Sequence, residues 1–522
     1  MTNTRDAADI IHHSTKHGTP ALQPLVSFRR LDPHNRPLPF KQYRDLSISP
    51  LPRELLTSTT SAVSVLSGER GEPHPLDATL LATVLYLAAG ITRTAGLPPE
   101  ESFFRTAMSA GNLHPVEVYL IAGHDVAGIA AGVYHFAPKE FGLVQLRQGD
   151  FLAALSLTTP VALVLTGLVW RTTWKYGERG WRHLYWDAGT MLANLLAVAD
   201  AHRLGVRILC GFADEAVASL VGVDGIDEVP LAVVALGAES PHAEPGTIHA
   251  NTLPPLHPDV VPVAPRPIRL PMVVAAQKGG ALAPTEVAPW QKAAVEVSSL
   301  VPTRVDEPAF EPDDSIEAVI LRRGSTRVMR HDSVSNGSLT WPMVAATRAV
   351  PLDAAPRGTL LEHYLNVHAV DGVKPGKYRW ISGGVASVDE AESPRKEGTT
   401  LCFGQPLGGD SAYTVFHSAL LDPLLDILGS RGYRAAQLEA GIVSGRLALS
   451  AFALGLGATG LTFFDDLVSV HFQTASAPML ATAVGVSATP TAPAGRPGQP
   501  VTLGRFHELM ARVSFQIQRS PP

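Results

Sequence analysis

Three clusters hold side chains whose types and spacing can do chemistry. The first is Arg105-Thr-Ala-Met-Ser-Ala-Gly-Asn-Leu-His-Pro-Val-Glu-Val-Tyr119. Ser109, Gly111 and Asn112 are loop formers, His114-Pro115 ends the loop, and the alternating Val116, Val118 and Leu120 begin a strand. A glycine in such a loop, with Ala110 beside it, lets backbone N–H groups approach a flat polar ring that a Cβ would hold off. The plain alternative is a tight loop in which His114 is only a satisfied donor. The second cluster is Leu321-Arg-Arg-Gly-Ser-Thr-Arg327. Guanidinium forks at Arg322, Arg323 and Arg327, with the Ser325 hydroxyl among them, suit a phosphate monoester; a solvated basic patch is the alternative. The third is Trp174-Lys-Tyr-Gly-Glu-Arg-Gly-Trp-Arg182. A lysine beside a tyrosine in an aromatic, glycine-rich setting suits a base of lowered pKa; equally, Lys175 could pair inertly with Glu178 or Asp187. None of the three is a zinc, P-loop or dinucleotide signature, and no metal is expected.

The elements that must position these clusters occur twice. Shifting the first half by 252 positions matches Gly177, Arg179, Gly180 and Arg182 to Gly429, Arg431, Gly432 and Arg434. Ala188-Gly189 meets Ala440-Gly441, Leu204-Gly205 meets Leu456-Gly457, and Phe212 and Asp214 meet Phe464 and Asp466. Slightly smaller shifts bring Glu117 and Tyr119 onto Glu362 and Tyr364, and GVYHF at Gly132 onto GKYRW at Gly376. The order of matches predicts a tandem duplication with too long a period for a solenoid, and directs attention to the interface between halves. Helical periods alternate with short Val/Leu runs, the pattern of an α/β or α+β fold. Ala188 to Gly205 has apolar residues at helical spacing, and its partner, Ala440 to Gly457, is apolar nearly all round and reads as a central buried helix. Between the halves, Glu239 to Pro271 is proline-rich. The boundaries expected are a first domain over 1–240, a linker over 241–300 and a second domain over 301–522.

At 522 residues, 45% hydrophobic and 17% charged, the chain has the material for two packed domains and not for a disordered protein. Its formal charge of −6 gives no footprint for nucleic acid or an anionic membrane. The uncharged stretch from Phe151 to Trp170 is split by Pro160, so it reads as a helix into Leu157 followed by a buried strand at Val161 to Val169. Two cysteines, Cys210 and Cys402, make no disulfide framework, and Met1 to Pro20 lacks a signal peptide's apolar stretch. A soluble, cytoplasmic protein is expected.

Taken in order, these motifs resemble the SagB/ThcOx-type dehydrogenases of the FMN-dependent nitroreductase superfamily. The family loop R-x-x-P-S-x-G-x-x-H-P-x-E-x-Y is matched at Arg105, Ser109, Gly111, His114, Pro115, Glu117 and Tyr119, departing at Ala107-Met108. W-K-Y-G-x-R is matched at Trp174 to Arg179, D-A-G at Asp187 to Gly189, and R-R-S-x-R at Arg322, Arg323, Ser325 and Arg327 with Gly324 inserted. His13-Ser-Thr-Lys16 resembles the family's opening. The resemblance implies an α+β fold of two nitroreductase-like domains, each a central mixed or antiparallel sheet flanked by helices, forming an intrachain pseudo-dimer, with a monomer and a further assembly both left open. It implies an FMN-dependent oxidoreductase that oxidises a C–N or C–C bond, with an azoline ring on a peptide or a small molecule as substrate. Lys175 would be the base and Tyr176 its orienter or proton donor, in a dry pocket of Trp174, Trp181 and Trp186. Arg322, Arg323, Ser325 and Arg327 would hold the phosphate, and Ser109, Ala110, Gly111, Asn112 and His114 would face the ring. The turn at Gly457 to Gly460, with Thr459 and Gly460, would offer N–H groups, and Arg496 is a weaker phosphate candidate.

The arginines occur only in the second half; Leu66-Ser-Gly-Glu-Arg70 lacks them. The Ser109/Gly111 loop occurs only in the first, against Ala354 and Pro356, and Lys175 and Tyr176 map onto Ile427 and Leu428. One composite site and one FMN per chain are expected. The alternatives are an NAD(P)H-dependent nitro or quinone reductase and an inactive flavin-binding scaffold subunit.

Overall fold

Short polar turns, glycines and prolines cut the chain into the same series of elements twice. The computed structural model describes residues 5–18, 31–96, 101–124, 126–237, 253–308, 314–356, 358–381, 383–390 and 394–504. The first series opens with α1 (Arg5–Ser14) and a strap bearing β1 (Ile48–Pro50). Helices α2 (Ala62–Ser67) and α3 (Ala78–Ala89) follow, capped by Ser61 on the Ser64 N–H and by Asp77 on those of Thr79 and Leu80. Strands β2 (Ile91–Ala95), β3 (Ser102–Arg105), β4 (Val116–Ala122), β5 (Gly132–Ala137) and β6 (Gly142–Gln148) come next. The uncharged stretch then resolves into a single 3-10 turn, Leu152–Leu155, and the fully buried strand β7 (Val161–Leu168). Helices α4 (Val169–Tyr176) and α5 (Gly180–Ala201), strand β8 (Val206–Leu209), α6 (Asp214–Val221) and β9 (Glu228–Leu236) complete the half.

The second series starts earlier than the proline content suggests. The span 241–300 was expected as linker, but its prolines at 271 and 284 sit in the first turns of two helices, α7 (Pro271–Gly279) and α8 (Pro284–Val297). Proline has no N–H to lose there, so a residue that breaks a helix interior starts one. Beyond α8 come β10 (Ser299–Leu300), α9 (Ile316–Arg322), β11 (Met329–Arg330), α10 (Gly337–Thr347) and β12 (Gly358–Thr359). Then follow β13 (Glu362–Val367), β14 (Gly376–Ile381), β15 (Gly384–Glu390), α11 (Pro394–Leu401), α12 (Leu407–Asp410) and β16 (Tyr413–Ala419). The long α13 (Leu421–Ala453), β17 (Gly457–Leu461), α14 (Asp465–His471), β18 (Ala477–Ser487) and β19 (Val501–Thr502) end it. Helix α13 is broken at Gly429 (φ 60°), the match of Gly177 (φ 57°) between α4 and α5.

Each half is an antiparallel sheet packed on helices. The strand order is β1-β6-β5-β4-β7-β9-β8 in the first and β11-β18-β16-β13-β14-β15 in the second, with β17 also on β18. Helices α5 and α13 cross at the centre, where Gly189 and Gly441 meet. A Cβ on Gly189 would lie 2.6 Å from the Gly441 Cα, so the crossing tolerates no side chain. The halves also exchange ion pairs. Arg179 and Arg182 grip Asp465 at 2.8 Å each, and Arg431 and Arg434 grip Asp214 at 2.6 and 3.0 Å, all with buried guanidiniums. The match of Asp214 is therefore Asp465, not Asp466, because one residue fewer separates β17 from α14 than β8 from α6; Asp466 instead pairs with Lys16 at the surface. The second half's C-terminal arm reaches back onto the first, with β19 pairing parallel to β2. Among the described residues, no helix is long and apolar enough to cross a membrane, and no group of three or more His, Cys, Asp or Glu could hold a metal.

Candidate functional site

The loop before β4 is built as its residue types require. Gly111, Asn112 and His114 all have positive φ (64°, 57° and 46°), which lifts a 3-10 turn, Ala110–Asn112, off the sheet end. Ser109 Oγ donates to Asp187 Oδ2 (2.5 Å) and accepts from the His114 N–H (2.8 Å), while the Ala110 N–H donates to Asp187 Oδ1 (3.0 Å). Thr190 Oγ1 holds the Met108 carbonyl at 2.7 Å. The imidazole of His114 turns back into the loop, 2.8 Å from Asn112 Oδ1 and 3.2 Å from the Phe103 carbonyl. The His114 and Asn112 side chains thus serve the loop, while the backbone of Gly111 is what it presents outward.

What Gly111 faces is the end of α4. A Cβ there would stand 2.6 Å from the Tyr176 hydroxyl and 2.9 Å from Lys175 Nζ. Lys175 and Tyr176 are half-buried, with Nζ 5.3 Å from the Tyr176 ring centroid. Burial pushes the Tyr176 hydroxyl well above its usual range, Asp187 adds to this, and Arg327 opposes it. The three tryptophans do not share one pocket. Trp174, rotated from Lys175 on the helix, packs with Trp170 and Ala264 and donates to the Asp32 carbonyl; Trp181 stacks on Tyr433 between the halves. The aromatic wall behind Tyr176 is instead His183, 4.3 Å between centroids, with Trp186 4.5 Å beyond it. Burial keeps His183 neutral.

The second half brings the arginines to this place. Arg323 is buried and its Nη2 donates to the Thr106 carbonyl (2.5 Å) of the first-half loop, while its Nε has no partner among the described residues. Burial, and then the nearby Arg93, lower its guanidinium to about 9, and no carboxylate offsets them. Arg327 is solvent-exposed, yet surrounding protein lowers its pKa and Tyr176 pulls the other way, as in an open cleft. Ser325 is half-buried between them. Arg322 is not brought in. It lies a helical step away, pairs with Asp314 at 2.7 Å and donates to the Phe452 carbonyl. Arg93 was not singled out in the sequence; with no motif around it, nothing there marks it. Its guanidinium binds the carbonyls of Leu321, Ala492 and Pro493, and so clamps the arginine segment to the first half. Arg496 lies exposed in a turn with Gln499.

The Gly457 to Gly460 segment is a strand, not a turn. Gly455-Leu-Gly-Ala-Thr-Gly460 spells G-x-G-x-x-G, but it follows a helix and enters antiparallel β17, the reverse of the strand-to-helix setting of a dinucleotide fingerprint. Thr459 is buried, Gly460 is exposed, and the Thr326 N–H binds the Ala458 carbonyl, tying β17 to the arginine segment.

The matched cleft on the other side is closed. Ile208, the ladder equivalent of Gly460, exchanges backbone hydrogen bonds with Pro351 and Asp353. Asp353 takes the N–H groups of Cys210 and Gly211, and Trp290 of α8 lies on Gly211 and donates to the Leu428 carbonyl. Glu439, the match of Asp187, holds Thr359 Oγ1 (2.6 Å) and the Leu360 N–H (2.9 Å). Thr359, rather than Ala354, is thus the counterpart of Ser109.

Residues 44–238 match the model of the nitroreductase family. A Methanocaldococcus jannaschii protein assigned as a nitroreductase is 29% identical over 172 residues, 31% of this chain and 81% of its own length. The microcin B17-processing protein McbC of Escherichia coli is 30% identical over 153 residues, 27% of this chain and little more than half (56%) of its own length. The crystal structure of a protein assigned as a nitroreductase in Anabaena variabilis superposes with a TM-score of 0.70 at 22% identity, covering 92% of this chain and 99% of that one. That likeness shows the fold.

Proposed function

From the premise that this chain has the nitroreductase fold and carries, over 44–238, a domain of that oxidoreductase family, we propose that it is an FMN-dependent dehydrogenase with one flavin per chain. The observation that carries this reading is the meeting, across the halves, of a carboxylate-free arginine pair with a Lys-Tyr pair under a glycine loop. The buried Arg323 Nε has no partner among the described residues, and a phosphate oxygen is the acceptor that would satisfy it. Arg327 and Ser325 complete the grip, Gly460 leaves room along one edge where a flat ring would lie, and Gly111 lets the loop backbone close onto Lys175 and Tyr176 at the other. FMN would supply the two-electron acceptor.

The protein's part is to place the substrate and handle its proton. Tyr176 is held as a phenol at neutral pH, so it donates a hydrogen bond and cannot be the base. Lys175 Nζ, beside it, takes the proton from the substrate carbon or nitrogen, and Tyr176 Oη orients the amine. The name of McbC, a microcin B17-processing protein, supports a processing reaction, and an azoline-type ring is the substrate that the resemblance of the motifs implies. Both cysteines are buried and unpaired, which fits a cytoplasmic protein.

The visible spectrum of the purified protein, with released flavin identified and counted, tests the cofactor; one FMN per chain is expected. Two would show that the second cleft is open after all, and a protein that refuses added FMN would favour a scaffold role. Lys175→Ala combined with Tyr176→Phe is expected to keep FMN and lose substrate turnover by about 10²–10⁴-fold. Full turnover in that variant would overturn the assignment of the base.

A further inference from the structure

Asp187 sits in α5 where the first-half loop comes down, and it is fully committed to that loop. Its two carboxylate oxygens take Ser109 Oγ and the Ala110 N–H, the residues on either side of the chain's entry into the turn that carries Gly111. Among the described residues no lysine or arginine pairs with it. The groups of ionisable type around it are Tyr176 and Lys175 at the end of α4, His183 one turn earlier on α5, and Arg105 and His114, which share with it the lining of a small cavity under the loop. The same device is present at the matched position of α13, where Glu439 holds Thr359 and Leu360. Six residues separate Ser109 from β4, whereas two separate Thr359 from β13. The latch is common to both halves; only in the first does a turn hang from it that reaches a lysine and a tyrosine.

We propose that Asp187 is a positioning residue whose carboxylate latches Ser109 and Ala110, and so holds Gly111 against Lys175 and Tyr176. The inference rests on the reading of this cleft as the flavin site, but the latch itself does not need the flavin. Burial raises the Asp187 carboxyl to about 7, with Ser109 and Ala110 pulling back. The ionised form accepts both hydrogen bonds, and charge-assisted bonds are about twice as strong as neutral ones. The latch therefore tightens as pH rises through 7.

Hydrogen exchange of the full-length, FMN-free protein reads the latch directly. Asp187→Ala is expected to speed exchange across 106–115 by about tenfold or more and to leave 351–361 unchanged; Glu439→Ala should do the reverse. Wild-type protection across 106–115 should rise severalfold from pH 6 to 8, and Asp187→Asn, which keeps the shape without the charge, should show no such step. Asp187→Ala should also weaken FMN binding by about tenfold, followed by flavin fluorescence. Unchanged exchange at 106–115 in Asp187→Ala, or a pH step that persists in Asp187→Asn, would overturn the latch. A loosened loop with unaltered FMN affinity would overturn the positioning role. If Asp187→Ala unfolds, the pH step in Asp187→Asn decides alone. A wild type that binds no FMN yet shows the latch would refute the flavin reading and leave the latch standing.

Discussion

The two clefts between the halves are made from matched elements and have opposite fates. On one side an exposed glycine edge at Gly460, the exposed Arg327, a lifted turn and the Lys-Tyr pair come together with no backbone ladder among the described residues closing over them. On the other, backbone has filled the equivalent volume: Pro351 and Asp353 pair with Ile208, and α8 lays Trp290 between Gly211 and Leu428. The two clefts thus differ by more than the replacement of Lys175 and Tyr176 by Ile427 and Leu428. A cleft lined by apolar residues and unpaired strand edge is itself unfavourable, and packing closes it. The scaffold around both clefts stays symmetric, as the Gly189–Gly441 crossing and the reciprocal ion pairs show.

The sharpest way to break this comparison is through those ion pairs, where the largest effect is expected. Asp465→Ala leaves Arg179 and Arg182 in the interior without their carboxylate; Arg182 keeps Thr15 Oγ1 and the His12 carbonyl, but Arg179 keeps only the Thr15 carbonyl and already has Nε and Nη2 without partners among the described residues. Removing one member of such a buried pair costs about 3–5 kcal/mol. Asp214→Ala should cost less, because Arg431 keeps the carbonyls of Cys210, Phe212 and Gly280 as acceptors. Thermal midpoints at pH 7 check this. Equal losses would mean that the missing residue before α14 has no energetic consequence for Arg179.

A smaller effect separates the arginines. Arg323→Ala removes a charge-assisted donor from the open cleft and should weaken FMN binding by about 1.5–3 kcal/mol, roughly 10- to 150-fold. Arg70→Ala, at the matched segment of the first half, should leave it unchanged, since Arg70 is exposed and makes only a loose 3.9 Å approach to Asp200. Arg322→Ala should resemble Arg70→Ala in flavin titration, its guanidinium being held by Asp314 and Phe452. A loss as large as that of Arg323→Ala would return Arg322 to the phosphate grip.

Much of this was legible in the sequence. The duplication that pairs Gly177 with Gly429, the buried strand after Pro160 and the loop at Ser109 all follow from spacing and turn chemistry. What was not legible depends on geometry across the halves. The register slip that makes Asp465 the partner of two arginines is a single missing residue in a short loop. That Arg322 turns to Asp314 while Arg323 turns inward depends on where α9 ends. The span 241–300 reads as linker because composition does not distinguish a proline in the first turn of a helix, as at 271 and 284, from one in its interior. Trp174, Trp181 and Trp186 look like one pocket along the chain, yet helical rotation sends them to different neighbours.

The smallest expected effect isolates the closed side. Burial raises Glu439 to about 7, with Thr359, Leu360 and Arg446 pulling back, against about 4.3 in an unfolded chain. The folded state therefore holds its proton more tightly than the unfolded one. Stability attributable to this group is fully present below about pH 4, falls as pH climbs towards 7, and levels off above it. Glu439→Gln removes that slope but keeps only one acceptor for two donors, so its net gain at pH 8 should be on the order of 1 kcal/mol. Thermal midpoints measured from pH 4 to 8 would show a flatter profile than wild type. FMN affinity should not change, because nothing on that side faces the open cleft. A shift in flavin binding would mean that the closed cleft still communicates with the open one through the α5–α13 crossing, and that the halves are not energetically separate.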